Sequence, residues 1–93
     1  MKLNPNCIRD ILLTVEDNTG YMKHMIYPES KPYPLLDKYD AEEVLYHINQ
    51  CELTGFFTDV VKFIDRSCTI LDLSPKGHEF LANIRTDENW DQN

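Results

Sequence analysis

The stretch FFTDVVKFIDRSCTILDLSP, Phe56 to Pro75, decides how the rest of the chain is read. Phe56 to Ile64 is dense in aromatic and β-branched residues, which suit a pleated surface, and the run is too short for a buried helix. Asp65-Arg66-Ser67 makes a polar turn, and Cys68 to Leu73 is a second run of strand type. Two such runs across a short polar turn predict a β-hairpin. Ser74-Pro75 closes it, because Ser is a good helix N-cap and proline at the first helical position lacks only an N–H that would have no partner anyway. A last helix is expected from there, with Phe80, Leu81 and Ile84 turned inward.

Upstream of the hairpin, Gly55 stops a long helix. Asp40-Ala41-Glu42-Glu43 has capping-box spacing, in which the Asp40 side chain accepts from the third amide and Glu43 reaches back. The helix carries Ala41, Val44, Leu45, Ile48 and Cys51 on its buried face and leaves Glu42, Tyr46, Asn49 and Gln50 largely outside. Pro28, Pro32 and Pro34 exclude regular structure until a short turn around Leu35-Leu36-Asp37. Before them, Tyr21 to Tyr27 alternates partly and reads as a short strand. The first helix begins at Pro5 with Asn4 as its cap, and Ile8, Ile11, Leu12 and Val15 form one apolar stripe. Asp17-Asn18-Thr19-Gly20 ends it, with Gly20 free to take a left-handed cap.

The order is helix, strand, helical turn, helix, hairpin, helix. That order predicts an α+β fold, a winged helix-turn-helix with a three-helix core, a β-hairpin wing and a short extra strand. Residues 1–93 are expected to form a single winged-helix domain, with 87–93 a flexible acidic tail.

The phrase LSPKGHEFL, Leu73 to Leu81, resembles the end of the wing in many bacterial winged-helix regulators, where a glycine in the position of Gly77 lets the last helix approach the hairpin. EVLYHINQCELTGFF (Glu43 to Phe57) followed by GHEFLANIRTDENW (Gly77 to Trp90) is similar to a phage- and prophage-encoded winged-helix family classed as a domain of unknown function. Its members carry a V-x-Y-H helix, a G-L-I strand and a G-H-E-F-L…I-R-x-D…W signature. Here G-F-F at Gly55 to Phe57 replaces G-L-I, and many relatives continue beyond the position of Trp90, so any function residing there is expected to be missing. The resemblance implies a winged helix and a phage setting, and it implies no activity.

Composition narrows the function. The chain has 93 residues, nine basic and sixteen acidic, for a net charge of −7. Nucleic-acid binders usually carry a basic footprint, and the segment from Asp40 to Asp59 holds five carboxylates and neither Lys nor Arg. No apolar run approaches the roughly 20 residues of a membrane span, and no signal peptide is expected, so the reading is a cytoplasmic protein of the host cell with no membrane contact. Cys7, Cys51 and Cys68 are odd in number and lack metal-ligand spacing, as do His24, His47 and His78, so reduced, buried thiols are expected and no metal site. No Gly-rich phosphate loop, G-x-S-x-G elbow or H-E-x-x-H is present, so no catalytic residue, cofactor or enzymatic activity is expected. His78 is read as a packed or capping histidine, and His47, beside Tyr46, as one of a structural pair holding the hairpin.

Two partners remain. An acidic winged helix of phage type is expected to engage or inhibit a host protein with a basic surface, an anti-CRISPR kind of role, through Glu42, Glu43, Tyr46 and Gln50, with the aromatic loop Tyr27 to Tyr39 either joining the contact or packing on the core. The alternative is a DNA-binding transcriptional regulator. Asn49 and Gln50 would then read adenine edges, Lys62 and Arg66 would meet phosphates, and a homodimer would gather the few cations. The carboxylates favour the protein partner.

Overall fold

The computed structural model describes residues 1–28 and 33–86. Helix α1 spans Pro5–Asn18, and the Asn4 side-chain oxygen accepts from the N–H groups of Asn6 (3.0 Å) and Cys7 (3.4 Å), as the Asn-Pro start predicts. Its buried face is Cys7, Ile11, Leu12 and Val15, with Ile8 at its margin. The expectation for Gly20 fails. The helix ends one residue earlier in extended backbone at Thr19, whose hydroxyl bonds the Val15 carbonyl (2.6 Å) and the Asp72 carboxylate (3.1 Å). A side chain far along the chain thus takes over the role of a left-handed glycine.

Strand β1, Met25–Tyr27, is shorter than the expected Tyr21 to Tyr27. Gly20 and Lys23 exchange two backbone hydrogen bonds of 3.0 Å each, which folds Tyr21 and Met22 into a tight turn with Met22 left-handed at φ 65°. After it, Met25 and Tyr27 face the core and Ile26 faces out. Residues 33–39 form successive turns that bury Leu36. The tyrosines on either side pack inward. Tyr27 stacks on Tyr33 at 6.4 Å, the Tyr33 hydroxyl donates to the Ile26 carbonyl (2.7 Å), and the Tyr39 hydroxyl donates to the buried Asp10 carboxylate (2.7 Å).

Helix α2, Ala41–Thr54, stops at Gly55, which is left-handed at φ 88°. The Phe56 N–H returns to the Cys51 carbonyl (3.0 Å), the six-to-one bond of a Schellman end. Two expectations for α2 fail. Ala41 is exposed, lying in the first turn beyond the reach of the core. Asp40 caps with its backbone alone and its side chain makes no cap bond, so the capping box does not close. Glu42 and Glu43 instead favour the helix start through its dipole.

Strands β2 (Val60–Lys62) and β3 (Cys68–Ile70) form the hairpin, and β1 pairs with the other side of β3, giving the antiparallel order β1-β3-β2. The regular ladder is shorter than the two sequence runs. At one end Phe63 and Ile64 belong to the turn, where the Arg66 N–H bonds the Phe63 carbonyl (3.1 Å). At the other the pairing continues only as single bonds, from the Leu71 N–H to the Asp59 carbonyl (3.1 Å) and from the Thr58 N–H to the Asp72 carbonyl (2.9 Å). Phe57 and Leu73 still meet in an isolated bridge. The hairpin turn is held by Asp65, which accepts from the Ser67 hydroxyl (2.6 Å) and N–H (3.0 Å), and these bonds lower the Asp65 pKa.

Helix α3, Pro75–Thr86, starts as the Ser-Pro pair predicts: the Ser74 hydroxyl oxygen accepts from the Gly77 N–H (3.0 Å) and its proton goes to the Gly55 carbonyl (2.6 Å). Gly77 lies so close to the Phe56 backbone that a Cβ there would be 2.2 Å from the carbonyl oxygen. Phe80 stacks on Phe56 at 4.6 Å, and Leu81 and Ile84 are buried. α1 packs on both α2 and α3. Among the described residues this is an α+β fold of three helices and a three-stranded antiparallel sheet, compatible with a winged helix. No helix among them is long and apolar enough to cross a membrane. The acidic tail read at 87–93 lies outside the described residues, as do residues 29–32 of the aromatic loop.

Candidate functional site

A groove of about 560 Å³ runs between α2 and the hairpin. Glu42, Leu45, Tyr46 and Asn49 line it from α2, Lys62, Phe63, Arg66, Ser67 and Cys68 from the hairpin, and Met1 from the amino terminus. The α2 residues share a face because they recur three and four apart. The groove thus unites residues from both sequence-derived sets: Glu42 and Tyr46 of the protein-binding set, and Asn49, Lys62 and Arg66 of the nucleic-acid set. Glu43 and Gln50 do not line it, and both are half-buried elsewhere on the helix.

Charge in the groove is arranged unevenly. The Lys62 ammonium bonds the Asn49 side-chain oxygen (2.8 Å) and the Glu52 carboxylate (2.9 Å), so one cation of the hairpin is already matched by α2. Arg66 is exposed, in left-handed backbone at φ 71°. Around them stand exposed apolar side chains: Phe63 is 52% exposed, and Ile64 at the turn is wholly so.

The histidines play other parts than those expected. His47 is fully buried and ties α2 to the start of α1: its Nε2 accepts the Asn4 N–H (2.8 Å) and its Nδ1 lies 2.7 Å from the Glu43 carbonyl. That pair of contacts requires the neutral ring with its proton on Nδ1. It stacks edge-on against Tyr46 at 5.2 Å, but the helix start is what it holds. His78 is exposed, not packed. Sequence reasoning passed over Asp10, which is 2% exposed and is met by Lys38 (3.0 Å) and the Tyr39 hydroxyl. Its signal was position, since Asp10 lies beside the apolar stripe, three residues after Cys7 and four before Thr14, which are buried as well.

Cys7, Cys51 and Cys68 are buried free thiols. Burial pushes Cys7 and Cys51 up to about 12 and Cys68 up to about 11, far from the thiolate that a nucleophile or metal ligand needs. Among the described residues no group of three or more His, Cys, Asp or Glu is placed to hold a metal ion.

The fold and groove define a small α+β protein that presents a mixed apolar and charged cleft between a helix and a hairpin. The chain belongs to the family described as Hypothetical protein (DUF2513), whose model matches residues 2–93. No curated protein and no solved structure matches it.

Proposed function

We propose that this chain is a winged-helix domain that works by binding another protein, without catalysing a reaction. The element order and the sheet order β1-β3-β2 support the winged-helix reading, with α2 in the place of the recognition helix and β2-β3 as the wing.

The observation that carries the choice of partner is the surface of that wing. A wing that meets duplex needs free cations, since phosphate neutralisation supplies most of the binding energy. Here Lys62 is held by Glu52 and Asn49, which leaves Arg66 alone of the hairpin's two cations without an ion pair among the described residues, and Phe63 and Ile64 present carbon to solvent. The first turn of α2, the end that usually faces DNA, carries Glu42 and Glu43. Apolar anchors beside carboxylates suit a protein with a basic surface. The particular role is that of a phage-encoded protein that covers a basic, nucleic-acid-binding surface of a host protein, such as a defence nuclease, in the host cytoplasm.

The test is affinity capture from host lysate with nuclease present, using the native chain and a Glu42→Lys, Glu43→Lys variant. One host protein should be retained by the native chain and lost by the variant. The variant's fold should lose no more than about 4 kcal/mol, since reversing two charges at a helix start counts each of them about twice. Recovery of DNA-associated proteins that vanishes with nuclease would support a gene regulator instead.

A further inference from the structure

The groove has opposite charges on its two sides and an apolar projection of the same chain beside it. Glu42 lines it from α2 and Arg66 from the hairpin turn, with Leu45, Tyr46 and Phe63 supplying apolar surface. Neither Glu42 nor Arg66 has an ion pair among the described residues. Next to Phe63, Ile64 stands fully in solvent at the tip. One exposed isoleucine is ordinary, but here it follows Phe63, which is itself 52% exposed and lines the groove.

A projection, a recess, and an Arg66 and a Glu42 that both lack an ion pair among the described residues give that face complementary parts, while the Asp65 carboxylate at the tip is turned onto Ser67. In a two-fold pair, a contact from residue i to residue j is repeated from j to i. We infer that a second copy of this chain occupies the groove when no host protein does, the Phe63–Ile64 tip of each copy entering the groove of the other, with Arg66 of each facing Glu42 of the other. Pairing through the sheet edge is the weaker route, because β2 is only three residues long and its Lys62 is drawn onto α2. The inference rests on the reading of this face as protein-binding and names what covers it in the free protein.

Sedimentation equilibrium tests it at about 0.15 M salt, where repulsion between two chains of charge −7 is largely screened. The native mass should rise with concentration from 10.9 kDa towards twice that value. Ile64→Asp should stay monomeric and melt where the native chain melts when dilute enough to be monomeric, since that side chain touches nothing within its own chain. Glu42→Arg and Arg66→Glu should each raise the dissociation constant about tenfold, each change acting twice across the axis, and the double exchange should return it to within about threefold of native. A native chain that is monomeric throughout would overturn the inference, as would a dimer indifferent to Ile64→Asp or to the charge exchange. A monomer that ignores DNA leaves the protein-binding reading intact, whereas a dimer that binds DNA sinks that reading and spares the pairing.

Discussion

Replacing Gly77 by alanine separates two opposed expectations. By helix propensity alone the change stabilises α3, by at most about 1 kcal/mol. By packing it does the reverse, because the new Cβ would lie 2.2 Å from the Phe56 carbonyl oxygen and 3.1 Å from its carbon. A carbon and an oxygen settle near 3.3 Å, so the helix start must withdraw by about 1 Å. The withdrawal forces apart a close contact, at about 1–3 kcal/mol, and loosens the Phe56–Phe80 stack, at about 0.5–1.5 kcal/mol. It also stretches the 2.8 Å bond from the Ser74 N–H to the Phe56 carbonyl. Net of propensity, Gly77→Ala should destabilise by about 2 kcal/mol, a large part of the roughly 5–15 kcal/mol of a small domain. Thermal melting followed by circular dichroism should show a fall of roughly 10–15 °C. Urea midpoints should fall with unchanged slope. A variant that melts higher than the native chain would refute the close approach of α3 to the α2–β2 connection.

Three further outcomes follow from buried groups. His47→Ala removes the acceptor of the Asn4 N–H and leaves a void between α1 and α2, and urea unfolding should report a loss of about 2–4 kcal/mol. Tyr39→Phe deletes the hydroxyl that donates to buried Asp10, which should cost about 1.5–3 kcal/mol in the same assay even though Lys38 remains in contact. The thiols have folded pKa values of about 12, 12 and 11 against an ordinary 9.0, so the unfolded chain sheds protons first as pH rises. Their contribution to stability is therefore complete below pH 9.0 and is lost towards about 12, and urea midpoints should fall across that interval. Native thiols should also resist a thiol reagent at pH 8 and react on unfolding.

The parts of the fold that were legible in the sequence are those set by neighbours along the chain. Asn4-Pro5 and Ser74-Pro75 start helices, and Gly55 stops one, because a cap, a missing N–H and a left-handed backbone are local matters. The close approach at Gly77 was legible only through the resemblance of Leu73 to Leu81 to the end of the wing in winged-helix regulators. The failures share a different cause. Thr19 ends α1 with help from Asp72, fifty-three residues away, and His47 bonds Asn4 across forty-three. Asp40 matches the spacing of a capping box, yet its side chain makes no cap bond. The groove is likewise tertiary: Met1, one face of α2 and the hairpin turn meet only after folding, and the pairing of Lys62 with Glu52 that occupies a cation of the hairpin cannot be read from either segment alone.

Fluorescence anisotropy of a labelled duplex, titrated with the native chain at stepped salt, tests most directly whether the β2-β3 hairpin and α2 spare nucleic acid. No saturable rise is expected at about 50 mM salt, where counterion release most favours binding. A tight isotherm that weakens steeply towards about 200 mM would contradict the choice of a protein partner, because it would mean that Arg66 and its neighbours outweigh Glu42 and Glu43 on the face that meets the duplex.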